Sequence, residues 1–130
     1  MKYMLMMNGT KKDMQSFGTL PPEDIRAHIN FMLKFNEQLK ASGELIDAQG
    51  LAGPEQAKIV RSRPGGGAPT VTDGPFPEAK EFLAGYWLIE CSSPERAIEI
   101  AGQASAAPGR GGVQLNIPIE LRAVGEAPKG

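Results

Sequence analysis

Two helix-start signals, each set between extended apolar segments, constrain the fold of this chain more than any other feature. The first is Pro-Pro-Glu-Asp at residues 21–24, where prolines stand near the first turn and two acids face the positive end of the helix dipole. Apolar side chains then recur with helical spacing, which predicts a helix over residues 22–41 that ends near Gly43. The second is Ser-Ser-Pro-Glu at residues 92–95, where either serine suits the N-cap position.

Runs rich in apolar, aromatic and β-branched residues surround these two helices and predict strands. The predicted strands cover residues 2–7, 44–51, 57–63, 85–91 and 113–123, and the chain also resumes an extended course at residues 70–72. Residues 8–20 are predicted as a loop and residues 64–69 as a flexible hairpin tip. The order β-α-β-β-loop-β-α-β predicts an α+β fold of the ferredoxin-like plan, with both helices on one face of an antiparallel sheet. We expect one domain over residues 1–123, followed by a frayed tail at residues 124–130.

Composition narrows the classes of function. The chain has 130 residues, a formal net charge of −1, one cysteine and one histidine. A balanced charge argues against non-specific nucleic-acid binding, and a single cysteine rules out an intramolecular disulfide and a multi-cysteine zinc site. No apolar run approaches the ~18 residues of a membrane span, and the apolar start is too short for a signal peptide. We therefore expect a cytoplasmic protein with no metal, no cofactor and no membrane association.

The predicted sheet has more apolar surface than two helices on one side can cover. The first strand is apolar on both faces, and the segment Tyr86-Trp87-Leu88-Ile89 in the fourth is bulky on both faces. A bare apolar sheet face usually indicates a partner, and a second copy of the same chain is the simplest one. The sequence therefore predicts a homodimer that buries sheet against sheet.

Residues 73–81, Asp-Gly-Pro-Phe-Pro-Glu-Ala-Lys-Glu, resemble the DGPF motif of the YCII-related family, which runs Asp-Gly-Pro-Phe-x-Glu-x-Lys-Glu. Residues 84–90 resemble the start of the family's central strand, with one glycine replaced by Ala84, and the first five residues and the Ala27-His28 pair are also similar. The resemblance covers about residues 1–123, whereas the last strand departs from the usual pattern. It implies a ferredoxin-like domain that pairs into a dimeric α/β barrel.

The resemblance also implies a histidine–aspartate pair, which here would be His28 and Asp73. A catalytic imidazole needs a carboxylate that fixes its tautomer and stabilises its charged form, and His28 is the only histidine available. Asp47, a carboxylate within the second predicted strand, is an alternative partner. Such a pair would support cofactor-independent proton transfer, isomerisation or elimination on a small carbonyl-bearing molecule. The substrate-binding candidates are Asn36, Phe76 and Lys80, and we expect Phe76 to be buried as an anchor for its loop.

Other interpretations remain open. His28 is equally an ordinary residue at the edge of a helix stripe, and Asp73 before Gly-Pro is equally a turn former. Because some relatives of the family are associated with sigma-type transcription factors, the alternative function is a non-catalytic ligand-binding or regulatory module. A dimer with a purely structural role is a third interpretation. An enzyme requires His28 near a carboxylate and facing a cavity, which the other two do not require.

Overall fold

The computed structural model describes residues 1–127 as an antiparallel sheet, a separate hairpin and three α-helices. Two short 3₁₀ turns occupy Pro54–Gln56 and Arg110–Gly112. In chain order the helices and strands are β1 (Lys2–Gly9), α1 (Lys11–Gly18), α2 (Pro22–Ala41), β2 (Leu45–Gly50), β3 (Lys58–Arg61), β4 (Thr70–Asp73), β5 (Phe82–Glu90), α3 (Pro94–Ser105) and β6 (Ile119–Ala123).

The main sheet has four strands in the order β2-β5-β1-β6, and all its neighbours are antiparallel. In its central row Leu5 pairs with Trp87 on one side and with Leu121 on the other. Strands β3 and β4 form a separate two-stranded hairpin. This arrangement confirms the mixed α+β fold and is compatible with the ferredoxin-like plan. Within the described residues the sheet is open, with β2 and β6 at its edges, so the dimeric barrel remains a proposal.

The core lies between one face of this sheet and the helices α2 and α3. Leu5, Ile89 and Ile100 are its largest fully buried side chains. Alanines on α3, Ala97 and Ala104, are fully buried too, and such small side chains allow the helix to approach the sheet closely. The larger side chains of α2 fill the remaining space, so burial of one face of each helix holds both helices to the sheet.

No helix of residues 1–127 covers the opposite face of the sheet. Strand residues alternate between the faces, and Tyr3, Leu5 and Trp87 point to the core. Their neighbours Met4, Met6, Tyr86 and Leu88 therefore form the open face, which we define by these four side chains; each is half-buried in the single chain.

An ion pair joins the segment after α2 to the start of α3. Nε and Nη2 of Arg96, in the first turn of α3, each donate to the carboxylate of Glu44 at 2.9 Å. Because α2 ends three residues before Glu44, its C-terminal end lies near the start of α3. The hydrogen bonds from Arg96 hold the pKa of Glu44 below its ordinary value. The N-terminal half of α2 consequently lies toward the opposite end of the sheet.

Both predicted helices are confirmed, whereas β5 begins three residues earlier than predicted, one predicted loop contains a helix and the last strand is shorter. The helix over residues 22–41 is confirmed, and Ser93, whose side chain accepts from the Arg96 backbone N–H, is the N-cap of α3. The predicted loop at residues 8–20 contains α1, which begins with a capping box formed by Thr10 and Asp13.

The last strand is shorter than predicted, since only Ile119–Ala123 of residues 113–123 pairs with β1. The preceding residues instead bond back to the end of α3, where the Leu115 N–H donates to the Ala107 carbonyl at 2.9 Å. A left-handed backbone at Asn116 and a proline at residue 118 separate this segment from the strand. The tail predicted at residues 124–130 has no helix or strand over 124–127, and its last three residues lie outside the described part of the chain.

Candidate functional site

The segments that carry most of the candidate functional residues reach the same end of the sheet. Strands β1 and β2 end there and β5 and β6 begin there, since Gly9 pairs with Phe82 and Gly50 with Gly85. We call this the upper end of the sheet. The N-terminal half of α2, the loop after α3 and the connection from β2 to β5 all extend to it. Backbone topology thus places His28 and the turn containing Asp73 at one end of the molecule.

His28 is half-buried and is held by two contacts from other segments. Its Nδ1 lies 3.0 Å from the carbonyl oxygen of Pro108, which follows α3. The ring of Phe17, on α1, packs edge-on against the imidazole with 4.8 Å between ring centroids. Because a carbonyl oxygen only accepts hydrogen bonds, the Nδ1 contact selects the tautomer with the proton on Nδ1. The Nε2 atom is left with a lone pair that can accept a proton.

The loop that supplies the Pro108 carbonyl is itself fastened to α2. The backbone N–H of Gly111 donates to Oδ2 of Asp24 at 3.1 Å, one helical turn before His28. The Gly109 N–H donates to the Val113 carbonyl at 2.8 Å and closes the loop. Gly111 has φ of 62°, a conformation that favours glycine. These bonds keep the Pro108 oxygen beside the imidazole.

The aspartate predicted to pair with His28 is engaged elsewhere. Asp73 faces Lys58 across the β3–β4 hairpin, and Nζ of Lys58 donates to its Oδ1. This hydrogen bond, reinforced by the charge of Lys58, holds the pKa of Asp73 below its usual value. The Asp73 side chain is 87% exposed. Over residues 1–127 no hydrogen bond or ion pair joins His28 to Asp73, so the single chain does not bring the two together.

The alternative partner, Asp47, lies on the wrong face of the sheet to reach His28. Its Oδ2 accepts from the Tyr86 hydroxyl at 2.9 Å, and its Oδ1 accepts from the backbone N–H of Ala48. Tyr86 alternates along β5 with Trp87, which faces the helices, so the Asp47–Tyr86 pair is on the open face. The hydrogen bond to Asp47 raises the pKa of Tyr86. The sheet itself separates Asp47 from His28.

The three predicted substrate-binding residues have different surroundings. Oδ1 of Asn36 accepts from Nε1 of Trp87 at 2.7 Å, which satisfies a polar atom next to the core. Lys80 is exposed on the surface. Phe76 is 49% exposed, so the expectation of a buried anchor is wrong for the single chain. Its turn is held instead by backbone hydrogen bonds, among them the Gly74 N–H to the Ala57 carbonyl at 2.8 Å.

A cavity of about 570 Å³ lies beside this turn. We call the four residues 73–76, Asp-Gly-Pro-Phe, the DGPF turn. The cavity walls come from the turn, from the β2–β3 connection and from the start of β5, and they include Leu51, Lys58, Phe76, Glu81 and Leu83. Phe76 and Lys58 therefore line one cavity, whereas His28 is not part of its wall.

Two contributions to the site were missed by sequence reasoning. Phe17 lies in a segment predicted as loop, and the Pro108 carbonyl is a backbone atom that no motif distinguishes. The Thr10–Asp13 capping pattern is the signal that predicts α1 and with it a structured position for Phe17.

No group of three or more His, Cys, Asp or Glu side chains suited to a metal ion occurs in the described range 1–127. None of the helices described there is long and apolar enough to cross a membrane.

An antiparallel four-stranded sheet with two helices on one face is typical of ferredoxin-like α+β domains. The chain belongs to the YCII-related domain family, which matches residues 1–114. Over 63 residues it is 41% identical to a protein of Rhizobium meliloti (strain 1021) described as uncharacterized. That match covers 48% of this chain and 50% of the relative, so the chain spans about half the length of the curated protein it matches.

Proposed function

We propose that the chain is a small-molecule enzyme in which His28 performs cofactor-independent proton transfer, leading to isomerisation or elimination. The observation that carries this proposal is the contact of 3.0 Å between Nδ1 of His28 and the Pro108 carbonyl. It selects one tautomer and leaves Nε2 available as a base. Phe17 also packs against the half-buried imidazole and restrains its rotation. The base is therefore held in a defined position.

The proposed reaction uses only the imidazole and its backbone partner. Nε2 removes a proton from the carbon next to a substrate carbonyl, and the electron pair of the broken C–H bond moves into an enolate. The Nδ1–H remains hydrogen-bonded to the Pro108 oxygen, whose partial negative charge stabilises the imidazolium that forms. Return of the proton to a different atom gives isomerisation, and departure of a leaving group from the neighbouring carbon gives elimination.

In this proposal Pro108 has the orienting role that the family resemblance implies for an aspartate. Asp73 instead acts as a positioning residue: its ion pair with Lys58 fixes the end of the hairpin from which the DGPF turn departs. Both groups are near the upper end of the sheet, and the proposal assigns the base to Nε2 of His28 because Nδ1 is engaged by the Pro108 carbonyl.

Exchange of acidic C–H hydrogens in D₂O tests this function without knowledge of the natural substrate. Pyruvate, acetoacetate and dihydroxyacetone serve as probes, because each has C–H bonds next to a carbonyl. We expect the wild type to accelerate deuterium incorporation into at least one probe, measured by ¹H NMR, and His28→Gln to lose that acceleration. Asn30→Ala, an exposed position on the same helix, should retain it. Equal exchange rates for wild type and His28→Gln over all three probes would contradict the proposal.

A non-catalytic ligand-binding module is the second candidate function. The observation in its favour is that Asp73 and His28 have separate partners, and that His28 is absent from the wall of the cavity beside the DGPF turn. A regulatory protein needs a ligand cavity but no acid–base pair. Ligand binding that is unchanged in His28→Gln, together with no exchange activity in the wild type, would favour this candidate.

Pairing of two copies through the open face completes the proposal. The four side chains of this face, three of them aliphatic or thioether groups, lie in the centre of the sheet. Lys2 and Glu90 pair with each other at the lower edge of this area, and Glu120 and Arg122 flank it on β6. An apolar centre with a charged rim is the usual anatomy of a protein interface. Two sheets packed in this way would form the dimeric barrel.

A further inference from the structure

We propose that the cavity beside the DGPF turn binds a small primary amine with an apolar body, and that Glu81 holds its ammonium group. The cavity volume of about 570 Å³ falls within the ~300–1,000 Å³ typical of small-molecule sites. The proposal concerns residues on the β2–β5 connection and does not rest on the reaction proposed for His28.

The cavity walls are held by backbone hydrogen bonds between separate segments. The Gly74 N–H donates to the Ala57 carbonyl at 2.8 Å, and the Leu51 N–H donates to the Ala84 carbonyl at 2.8 Å. Directly after the turn, the Ala79 N–H donates to the Phe76 carbonyl at 2.9 Å. These bonds join the DGPF turn to the residue before β3 and the residue after β2 to β5, so the cavity exists before any ligand enters it.

The walls expose apolar side chains that the fold itself leaves uncovered. Leu51 and Phe76 are each about half-exposed, and Leu83 is partly exposed. The turn that carries Phe76 is tied at Gly74 to Ala57, the residue before β3, and Phe76 is part of the cavity wall. An apolar ligand that covers these three side chains removes their surface from water, which favours binding.

The charged side chains in the cavity wall determine which polar group the ligand should carry. Among the described residues that line the cavity, Lys58 and Glu81 are charged. The ammonium of Lys58 is already paired with Asp73, so its charge is compensated. Glu81 has no hydrogen bond and no ion pair from any side chain in the described range 1–127. An uncompensated carboxylate at an apolar wall attracts a cation, and an alkylamine is protonated at neutral pH as lysine is.

Glu81 and Glu78 offer a matched comparison on the same segment. Both glutamates are exposed, but only Glu81 lines the cavity. Hexylamine is the probe, and hexanol and hexanoate are its neutral and anionic counterparts of equal length. We expect the wild type to bind hexylamine about threefold to fivefold more tightly than hexanol or hexanoate, since an ion pair with an exposed carboxylate contributes up to about that factor. Glu81→Gln should lose this preference, and Glu78→Gln should retain it.

The apolar part of the site has its own pair of variants. Phe76→Ala should weaken the binding of hexylamine and of hexanol to the same degree. Val71→Ala, exposed on the hairpin and outside the cavity wall, should weaken the binding of neither.

Binding is followed by ¹⁵N–¹H correlation spectra, in which the shifted amides should be those near the cavity, such as Gly53, Lys58 and Phe76. Shifts centred on Met4, Met6 and Leu88, equal binding of the three probes, or an unaltered preference in Glu81→Gln would overturn the proposal. His28→Gln should bind hexylamine normally, which separates this outcome from that of the proposed reaction.

Discussion

His28 and Pro108 are 80 residues apart in the chain, yet the imidazole Nδ1 lies 3.0 Å from the Pro108 carbonyl oxygen. This contact joins the second turn of α2 to the loop after α3. The bond from the Gly111 N–H to Asp24 joins the same two segments one turn earlier. The backbone of the loop therefore decides which nitrogen of the histidine is available for chemistry.

The tautomer of His28 is the most direct consequence. Ring ¹⁵N spectra recorded above pH 8 should show a protonated Nδ1 and an unprotonated Nε2, because only a protonated Nδ1 can donate to the Pro108 carbonyl. Asp24→Ala, which frees the Gly111 N–H, should broaden or shift these signals as the loop loosens. A protonated Nε2 in the wild type would contradict the assigned hydrogen bond.

The exposure of Phe76 leads to a modest effect on stability. We expect Phe76→Ala to lower the free energy of unfolding by less than about 1.5 kcal/mol, because about half of the side chain already faces solvent. Phe35, 3% exposed and packed edge-on against Trp87, is the matched control, and Phe35→Ala should cost about 3–5 kcal/mol. Urea unfolding followed by circular dichroism measures both. Equal losses would show that the DGPF turn is packed more tightly than its exposure indicates.

The Glu44–Arg96 pair should make stability depend on pH. The hydrogen bonds from Arg96 lower the pKa of Glu44 in the folded chain, so the unfolded chain binds the proton more readily. The stabilisation is therefore present above the unfolded pKa of about 4.3 and is lost as the pH falls through the lower folded value. The pair is partly solvent-exposed, and we expect a contribution of about 1 kcal/mol at pH 7.

Glu44→Gln isolates this contribution. The wild type should be more stable than the variant at pH 7, and the difference should shrink between pH 5 and pH 3. Glu78→Gln, an exposed glutamate outside any described ion pair, is the control and should show little difference at either pH. A difference for Glu44→Gln that is constant with pH would show that the ion pair does not stabilise the fold.

Dimerisation through the open face predicts a specific mutational effect. In light scattering at micromolar concentration the wild type should have twice the mass of one chain. A stable pairing of this kind should bury a total area of at least about 1,200 Å². Leu88→Glu places a charge in the centre of the open face and should give a monomer. Ile98→Glu, an exposed position on α3, should remain a dimer. A monomeric wild type would contradict the pairing.

Local signals in the sequence were sufficient for most helices and strands. The prolines and acids before residue 25 and the glycine at residue 43 predicted α2 at its observed bounds, because capping and the helix dipole act within a few residues. The segment after β1 was predicted wrongly, although the Thr10–Asp13 capping box that begins α1 is equally local. The family was also recognisable from residues 73–90, and the match over residues 1–114 confirms it.

The site depended on contacts between segments that are distant in the chain. Because the chain has one histidine, composition alone indicated His28 as the candidate base. Its backbone partner, the Pro108 carbonyl, depends on how the loop after α3 packs against α2. Asp73 illustrates the same limit: the β3–β4 register places Lys58 directly opposite, so the carboxylate bonds to the nearest cation and not to the imidazole. Sequence thus determined most of the helices and strands and which side chains are candidates for chemistry, since these follow from local propensity and residue type. Tertiary structure alone decided which of those groups meet, because that depends on register and packing over the whole chain.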